Sequence, residues 1–289
     1  MPGFALLLAL VLGDLPSTGG APGAQEPFPA AGELIRQVLK SQRTAEKRFD
    51  SYTFDRREEV TAYRSDGGVK EIRTSLFYVF AGPGPDGASR ELVEVDGRPA
   101  TEKEKRAAAE KDAKSTRRLE ERAAARAAEK QVVGGDEDDP TIGPRRLSDL
   151  LRRFDVRVSG KENLSGRAAW VVEFSPRPGV PERGLGDRAL GVLAGRAWID
   201  AEDLQIRSVD AHLIRPFKVA GGLFANVTRA DVTYEAGAVV PGYWFPARIS
   251  LCVSGKKALF FRLDTGYRFE LSNFRTFGVE TESTVSAPR

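Results

Sequence analysis

The chain has one cysteine and one histidine among its 289 residues, so few side chains are available for nucleophilic or metal chemistry. Cys252 and His212 could in principle form a nucleophile–base pair. Both lie in strand-like runs, "ARISLCVSG" and "VDAHLIRP", which favours two strand residues without a chemical role. A single cysteine also excludes an internal disulfide and any multi-cysteine zinc site. We therefore expect no metal site and no cofactor.

Paired carboxylates are the remaining candidates for acid–base chemistry. They occur at Glu58–Glu59, Asp138–Asp139 and Glu202–Asp203, each within a polar strand or turn, where surface acids are the ordinary explanation. The sequence contains no P-loop, nucleophile elbow, dinucleotide-binding or zinc-protease motif. We expect no catalytic residues and a protein that is not an enzyme. A hydrolase whose carboxylates, or a serine with a base, converge inside the sheet stays as the weakest alternative.

The charge distribution argues against a nucleic-acid partner. The formal net charge is +3, and the segment Thr101–Lys130 alone carries ten Lys or Arg against seven Asp or Glu. The rest of the chain is therefore neutral overall, and no basic face with interleaved aromatic residues accompanies it. We expect no nucleic-acid binding.

The N-terminus has features of an export signal. The apolar run "FALLLALVL" (Phe4–Leu12) has nine residues, far fewer than a membrane-spanning helix needs, and small residues follow it. No basic residue precedes the run, which departs from the usual signal-peptide pattern. We predict a signal peptide over residues 1–24 and an exported, soluble protein.

The rest of the chain reads as one helix followed by many strands. Ala30–Phe49 has apolar residues at helical spacing with charges opposite, which predicts an amphipathic helix. Roughly ten alternating segments follow, joined by short turns. This pattern predicts an α+β fold: a large curved antiparallel sheet, wrapped on the N-terminal helix, in a single domain over residues 30–277. A flexible tail is expected over 278–289.

A charged segment interrupts these strands. Residues 101–131 contain nine alanines, no glycine or proline, and Thr101 and Glu104 in capping-box register. Leu119 is their one large aliphatic residue, so we predict a long solvated helical insertion, continued by an acidic linker to residue 144. A basic arm that touches an anionic membrane surface is the alternative.

Two glycine-rich connections carry apolar residues. In "RGLGDRALGVLAG", a lid over an apolar site and ordinary packing at the sheet edge are equally compatible with the pattern. The candidate lid residues are Leu185, Leu190, Val192 and Leu193. The run "VAGGLFANV" repeats this pattern with Leu223 and Phe224.

The hairpin "GRAWIDAEDLQIRSV" gives the chain a family resemblance. Together with the leader, the first helix and the antiparallel meander, it resembles the LolA/LolB-like superfamily of periplasmic lipoprotein carriers and related anti-sigma-factor partner domains. The family's "W-I-D…L-P-x-R" pattern matches Trp198, Ile199, Asp200, Leu204 and Arg207, with Gln205 where proline is frequent. A strand ending at Pro176 is a further similarity.

This resemblance implies an unclosed half-barrel around a helix, with an apolar cavity for acyl chains. It predicts a periplasmic, non-enzymatic, monomeric carrier or binder of lipidated protein or other amphiphilic cargo, with peripheral membrane contact. The alternative is a module of the same fold that binds an envelope protein in stress sensing or assembly. Alternation of apolar residues gives candidate cavity-lining positions: Phe54, Phe77, Trp170, Phe174, Trp198, Trp244, Phe261 and Phe269.

Overall fold

The structure is a computed structural model that describes residues 29–80, 89–114, 117, 121, 153–181, 185–258 and 261–276. The predicted signal peptide, the acidic linker, the predicted tail and the pair Asp138–Asp139 lie outside the described residues. So does Leu119.

The predicted first helix is present as α1 (Ala31–Phe49). Its buried positions are Leu34, Val38, Gln42 and Ala45, spaced three or four apart, so they form one stripe along the helix. Glu33 lies in the first turn, and Lys47 and Arg48 lie in the last turn, where each charge complements the helix dipole. One face of α1 is therefore available to cover a sheet.

Twelve strands in the described part of the chain form one antiparallel sheet. In chain order they are β1 (Tyr52–Tyr63), β2 (Val69–Val79), β3 (Arg90–Val95), β4 (Arg98–Pro99), β5 (Phe154–Leu164), β6 (Arg167–Pro176), β7 (Leu193–Asp200), β8 (Ile206–Leu213), β9 (Phe217–Val219), β10 (Ala225–Val240), β11 (Tyr243–Lys257) and β12 (Phe261–Thr276). The described residues between the strands include the helix α2 over 102–114, the short helix α3 (Leu185–Leu190) and a 3₁₀ turn at Ala220–Gly222.

The strand order is β4-β3-β2-β1-β12-β11-β10-β8-β7-β6-β5, with β9 paired to β10. The last strand returns to pair with the first, so the two halves of the chain meet in the middle of the sheet. The outer strands β4 and β5 are not paired with each other, which leaves the sheet open. The predicted fold class, an α+β half-barrel with an open antiparallel sheet, is confirmed.

Tight turns make the meander possible. The predicted "DGG" turn joins β1 to β2, with Gly67 at φ 85° and the Gly68 amide donating to Asp66 Oδ1 at 2.9 Å. Ser165 and Gly166, at φ 51° and 84°, join β5 to β6. Two successive positive φ angles are the geometry whose twist matches that of antiparallel strands.

The sheet curls around α1. A single apolar cluster joins Leu34 and Val38 of the helix to residues of β6, β7, β8 and β10, and Val158 of β5 and Ile249 of β11 pack against it. These six neighbouring strands would span about 24 Å if flat, more than twice the diameter of a helix. Contact between one helix and all six therefore requires a concave sheet. We call the face that contacts α1 the concave face.

A second cluster forms the other part of the core. It contains Phe54, Phe77, Val79, Leu92 and Ala100, and Phe49 at the end of α1 packs against it. Ala108 of α2 also packs there, so α2 covers the concave face of β2 and β3. Most described residues of α2 are nevertheless exposed, and the small side chain of Ala108 lets one face of the helix approach the sheet.

Candidate functional site

The convex face of the sheet carries charge. One row of polar side chains crosses eight neighbouring strands in register. From β1 to β5 this convex row is Glu59, Arg268, Ser250, Thr233, Asp210, Arg196, Glu173 and Arg157. Ion pairs join Arg157 and Arg196 to Glu173. A surface of this kind is stably solvated and needs no cover.

The concave face carries apolar rows at the alternate positions. The first row, which packs beneath α1, consists of Phe269, Ile249, Tyr234, Val209, Ala197, Val172 and Val158. Tyr234, Ala197 and Val172 are buried, and the Tyr234 hydroxyl has no hydrogen-bond partner within the described residues. Burial raises the pKa of this phenol, with the nearby Glu46 contributing. Leu34 and Val38 of α1 pack in one cluster with Tyr234 and Val172, so the apolar cavity that the resemblance implied does not lie between these residues.

A second apolar row, which α1 leaves uncovered, lies on the same face two residues further along each strand. We call this distance of two residues one register step. It consists of Val60, Tyr267, Leu251, Val232, Ala211, Gly195, Phe174 and Val156, again crossing eight strands. Each of these residues is only half-buried. The next step outward consists of Ala62, Thr265, Val253 and Ala230, of which Thr265 is polar and Ala230 is buried. We call the second row the apolar strip, and it is the candidate functional site.

The middle of the strip depends on a glycine. A Cβ atom at Gly195 would lie 1.9 Å from the backbone oxygen of Asp210 and 2.8 Å from the Cα of Ala211. No side chain fits there because β7 and β8 approach too closely. The glycine thus leaves a shallow gap in the strip between Ala211 and Phe174.

A polar cluster lies near the β1 end of the strip, where Glu58 is one register step from Val60. Arg90 Nη1 donates to Glu58 Oε1 at 2.6 Å, and Arg90 Nε donates to Asp112 Oδ2 of α2 at 2.6 Å. Arg56 also pairs with Glu58. The guanidinium of Arg90 stacks 4.2 Å from the Phe77 ring centroid. These four charges sum to zero and anchor α2 to the sheet.

Arg56 is the least satisfied member of this cluster. Its Nε atom is buried with no hydrogen-bond partner among the described residues, and burial lowers the pKa of its guanidinium. Its charged group lies 5.7 Å from the Phe77 ring and 5.9 Å from the Phe269 ring. Arg56 is thus a cation held between two aromatic rings, two register steps along β1 from Val60 of the strip.

Five of the eight predicted lining residues lie on the concave face. Phe54 and Phe77 are buried in the second core cluster, and Trp170 packs against the first. Phe269 belongs to the first row. Phe174 is the one predicted residue that lies within the apolar strip, where its ring also packs against Phe154 at 5.1 Å.

The other three predicted lining residues lie elsewhere. Trp198 alternates with Ile199 and is on the convex face, where its Nε1 donates to Glu162 Oε2 at 2.8 Å. Trp244 belongs to a polar cluster at the end of the sheet described below. Phe261 is 70% exposed at the beginning of β12. Alternation alone did not distinguish the two faces, and a tryptophan with a polar partner suits the solvated one.

The predicted lid residues are divided between the sheet and a pocket. Leu193 is the first residue of β7 and pairs with Leu213, and Val192 is buried beside it. Leu190, in α3, lines an open pocket of about 370 Å³ whose rim carries Arg153, Arg177 and Arg215. The side chain of Leu185 lies outside the described residues.

Sequence reasoning missed the central members of the strip. The central residues Val232 and Ala211, and Val60 at the β1 end, were not among the candidate lining residues because each looks like an ordinary strand residue. The period-two pattern through Leu251 and through Tyr267 was visible in the sequence, but it did not show that these residues meet across neighbouring strands. Only the register of the pairs brings them into one row.

The hairpin that carries the resemblance ends in a buried ion cluster. Asp200 is fully buried and accepts hydrogen bonds from Arg167 Nε at 2.9 Å and Nη2 at 2.8 Å. Its Oδ1 also accepts the backbone amides of Glu202 and Asp203, as expected of a residue that begins a turn. Trp244 Nε1 donates to Asp203 Oδ2 at 2.9 Å.

Electrostatics keep Asp200 ionised. Burial alone would raise the pKa of this carboxyl, but the hydrogen bonds from Arg167 and from two backbone amides outweigh it, and the pKa is lowered. Arg207 is itself buried, lies 3.7 Å from Asp200 and stacks 4.3 Å from the Trp244 ring centroid. The cluster fastens the β7–β8 turn to the neighbouring strands and has a structural role.

The candidate nucleophile and base are not adjacent. Cys252 and His212 both pair with Asp231, from opposite sides of β10, so two strand spacings of about 4.8 Å each separate them. Within the described residues, no group of three or more His, Cys, Asp or Glu side chains could hold a metal ion.

Structural comparison finds the similarity that the sequence indicated. The chain is similar to a putative outer membrane lipoprotein-sorting protein domain from Vibrio parahaemolyticus, at 10% identity and a TM-score of 0.33, over 86% of this chain and 95% of that one. A LolA superfamily protein from Nitrosomonas europaea matches at 9% identity and a TM-score of 0.34, over 87% and 96%. The MucA/MucB complex of Pseudomonas aeruginosa matches at 10% identity and 0.23, over 85% and 98%.

These matches concern the fold alone. No protein-family model matches the chain, and no curated protein matches it. None of the helices that the structure describes is both long and apolar enough to cross a membrane. The function must therefore be inferred from the surface of the chain itself.

Proposed function

We propose that the protein is a periplasmic carrier or binder of amphiphilic cargo, such as a lipidated protein, whose acyl chain lies along the apolar strip. A single observation carries this proposal. The strip is apolar and half-exposed across eight strands, whereas the row one residue away on the convex face is charged. A folded protein rarely leaves so continuous an apolar surface open unless it binds something.

The dimensions of the strip suit an acyl chain. Eight strands span about 34 Å in the strip's direction if flat, and less once curved. Burial of each methylene group contributes about 0.8 kcal/mol without a directional contact. Such affinity is strong yet permits release, as a carrier needs. The cluster of Arg56, Glu58 and Arg90, in which Glu58 is one register step from Val60, gives a polar surface near the β1 end of the strip, beside which the cargo's head group can lie.

Binding, and no catalysis, is the function that these residues support. The charged groups next to the strip are paired with one another, apart from the Nε of Arg56. The apolar leader at Phe4–Leu12 supports export to the periplasm as a soluble protein. We expect a monomer, which light scattering after size-exclusion chromatography tests directly.

A protein partner is the second candidate function. Strand β5 has eleven residues and, in the described part of the chain, pairs only with β6. Its free edge offers backbone groups to which an extended segment of an envelope protein could add as a further strand. Capture of one specific envelope protein by lipid-free protein, abolished by Val158→Pro, would favour this function.

The cargo proposal is tested by titration with a fluorescent fatty acid. The variant Leu251→Asp places a carboxylate in the centre of the strip and should weaken binding at least tenfold, because an apolar chain cannot solvate the charge. The matched control is Ser250→Asp, the neighbouring residue on the convex face, which should change the affinity less than about twofold.

Both side chains are half-buried in the same strand, so a general loss of folding would affect them alike. Circular dichroism and the denaturation midpoint verify folding of each variant. The proposal is contradicted if the wild-type protein binds no probe, or if the two variants weaken binding equally while both stay folded.

A further inference from the structure

The apolar side chains that the sheet exposes most are concentrated at one end of it. Of the seven large apolar residues classed as exposed among those the structure describes, six lie at or near this end; Val93 is the seventh. Three protrude furthest: Leu223 is 60% exposed, Phe224 69% and Phe261 70%. We call these three residues the tip patch. The patch lies outside the apolar strip.

Backbone hydrogen bonds fix the turn before β10 and the end of β11, which lie beside the tip patch. The Ala258 amide donates to the Phe224 carbonyl at 3.0 Å, which joins the end of β11 to the turn before β10. That turn is fixed by Gly221 and Gly222, whose φ angles of 66° and 102° suit glycine. The Leu223 amide donates back to Ala220 at 3.1 Å. Backbone bonds therefore hold the apolar side chains away from the core.

Lysines surround the tip patch on both faces of the sheet. Lys218 and Lys256 both pair with Asn226, and Lys257 pairs with Phe261 in the alternate register. All three lysines are exposed, and none is in an ion pair with any residue that the structure describes. Two acids of the strands that carry the patch, Asp231 of β10 and Asp264 of β12, are paired with Arg229 and Arg262. The tip thus carries unpaired positive charge around protruding apolar groups.

We propose that this end of the sheet docks onto an anionic lipid bilayer, with the tip patch inserted at the headgroup–acyl boundary. Protruding apolar side chains ringed by lysines match that boundary, which is apolar in depth and negative at its surface. A soluble protein partner would need a groove to receive three separate side chains, two before β10 and one at the beginning of β12. Docking here points the open end of the concave face toward the bilayer.

The proposal is independent of cargo binding, and vesicle flotation tests it. The wild-type protein should bind vesicles of phosphatidylcholine and phosphatidylglycerol in equal amounts, and bind pure phosphatidylcholine vesicles at least tenfold less. Raising the salt concentration should weaken the binding, since the charges are exposed.

Two variants separate the apolar and electrostatic contributions. Phe224→Ala with Phe261→Ala should reduce vesicle binding at least tenfold. Lys256→Glu with Lys257→Glu should do the same, because each lysine near an anionic surface contributes roughly a fivefold factor. The control is Arg43→Glu with Lys47→Glu, an equal change of charge at two exposed positions of α1. It should retain most of the binding.

The proposal is overturned if the wild-type protein does not distinguish the two kinds of vesicle. It is also overturned if both tip variants float with vesicles as the wild-type protein does, or if the α1 control loses as much binding as the lysine variant. Fatty-acid binding without vesicles should be unchanged in the tip variants. Loss of probe binding by Leu251→Asp therefore addresses the cargo proposal alone.

Discussion

The two ends of the sheet differ in what they bury and what they expose. At the end that contains the β7–β8 turn, Asp200, Arg167 and Trp244 are tied into one hydrogen-bonded cluster, and Asp200 has no exposed surface. At the other end, Phe224 and Phe261 protrude into solvent with lysines around them. One end is built to hold strands together, and the other presents surface. An open sheet can keep a functional face uncovered only where another part of the molecule provides the stability.

Apart from the controls, the largest expected effect is at the polar end. Asp200→Asn removes the charge that Arg167 and Arg207 face, and leaves the buried Arg207 without its nearby carboxylate. Loss of one partner from a buried ion cluster should lower the free energy of unfolding by about 3 kcal/mol. Urea denaturation followed by circular dichroism measures it.

Glu202→Gln is the matched control, because Glu202 also lies close to Arg167, at 3.1 Å, but is 79% exposed. Its effect should be within about 0.5 kcal/mol. Similar losses in the two variants would mean that the cluster stabilises the fold no more than a surface pair does.

The pH dependence of stability is a second way to measure what the Asp200 carboxylate contributes. Because the pKa of folded Asp200 is lowered, its stabilisation is complete above the unfolded carboxyl's pKa and is lost as the pH falls through the folded value. Wild-type protein and Asp200→Asn should therefore converge in stability under acid conditions. Denaturation midpoints measured from neutral to acid pH test this; a constant difference between the two proteins would contradict it.

A smaller effect is expected between the two ends, in the middle of the apolar strip. Gly195→Ala places a Cβ 1.9 Å from the Asp210 oxygen, so β7 and β8 must separate locally. We expect a loss of about 2 kcal/mol in the free energy of unfolding, as in other overpacked sites. The control is Gly160→Ala in β5, where no atom lies within 4 Å of the new Cβ.

Gly160→Ala should leave stability unchanged or raise it by about 0.5 kcal/mol, because glycine weakens a strand. The two variants are compared by thermal and urea unfolding. Equal stability of the two alanine variants would show that the close approach of β7 and β8 at Gly195 is not needed for the fold.

The sequence predicted local features well, because these depend on neighbours along the chain. The amphipathic spacing in α1 and the turn at Asp66–Gly68 were both readable, and Asp200 was correctly interpreted as the residue that begins its turn. Its main partner, Arg167, was not predicted, since the two are 33 residues apart and only strand register brings them together.

Two further features could not be predicted from the sequence, because they too depend on how the strands pair. Trp198 and Ile199 are adjacent and both apolar, so the sequence could not say which of them faces α1; the buried one is Ile199. The apolar strip takes members from eight strands, and each strand contributes one ordinary residue. Tertiary register, which a single sequence does not display, creates both the strip and the cluster.

The smallest expected effect on stability is at the exposed end. Phe224→Ala and Phe261→Ala should each change the free energy of unfolding by less than about 0.5 kcal/mol, because these rings are mostly in solvent in the folded state as well as in the unfolded state. The control is Phe245→Ala: its ring is 1% exposed and packs against Tyr52 at 5.0 Å, and its loss should cost about 4 kcal/mol. Urea denaturation of all three variants measures the contrast. A large loss at Phe224 or Phe261 would show that the tip supports the fold, and its exposure would then no longer argue for a surface kept for membrane contact.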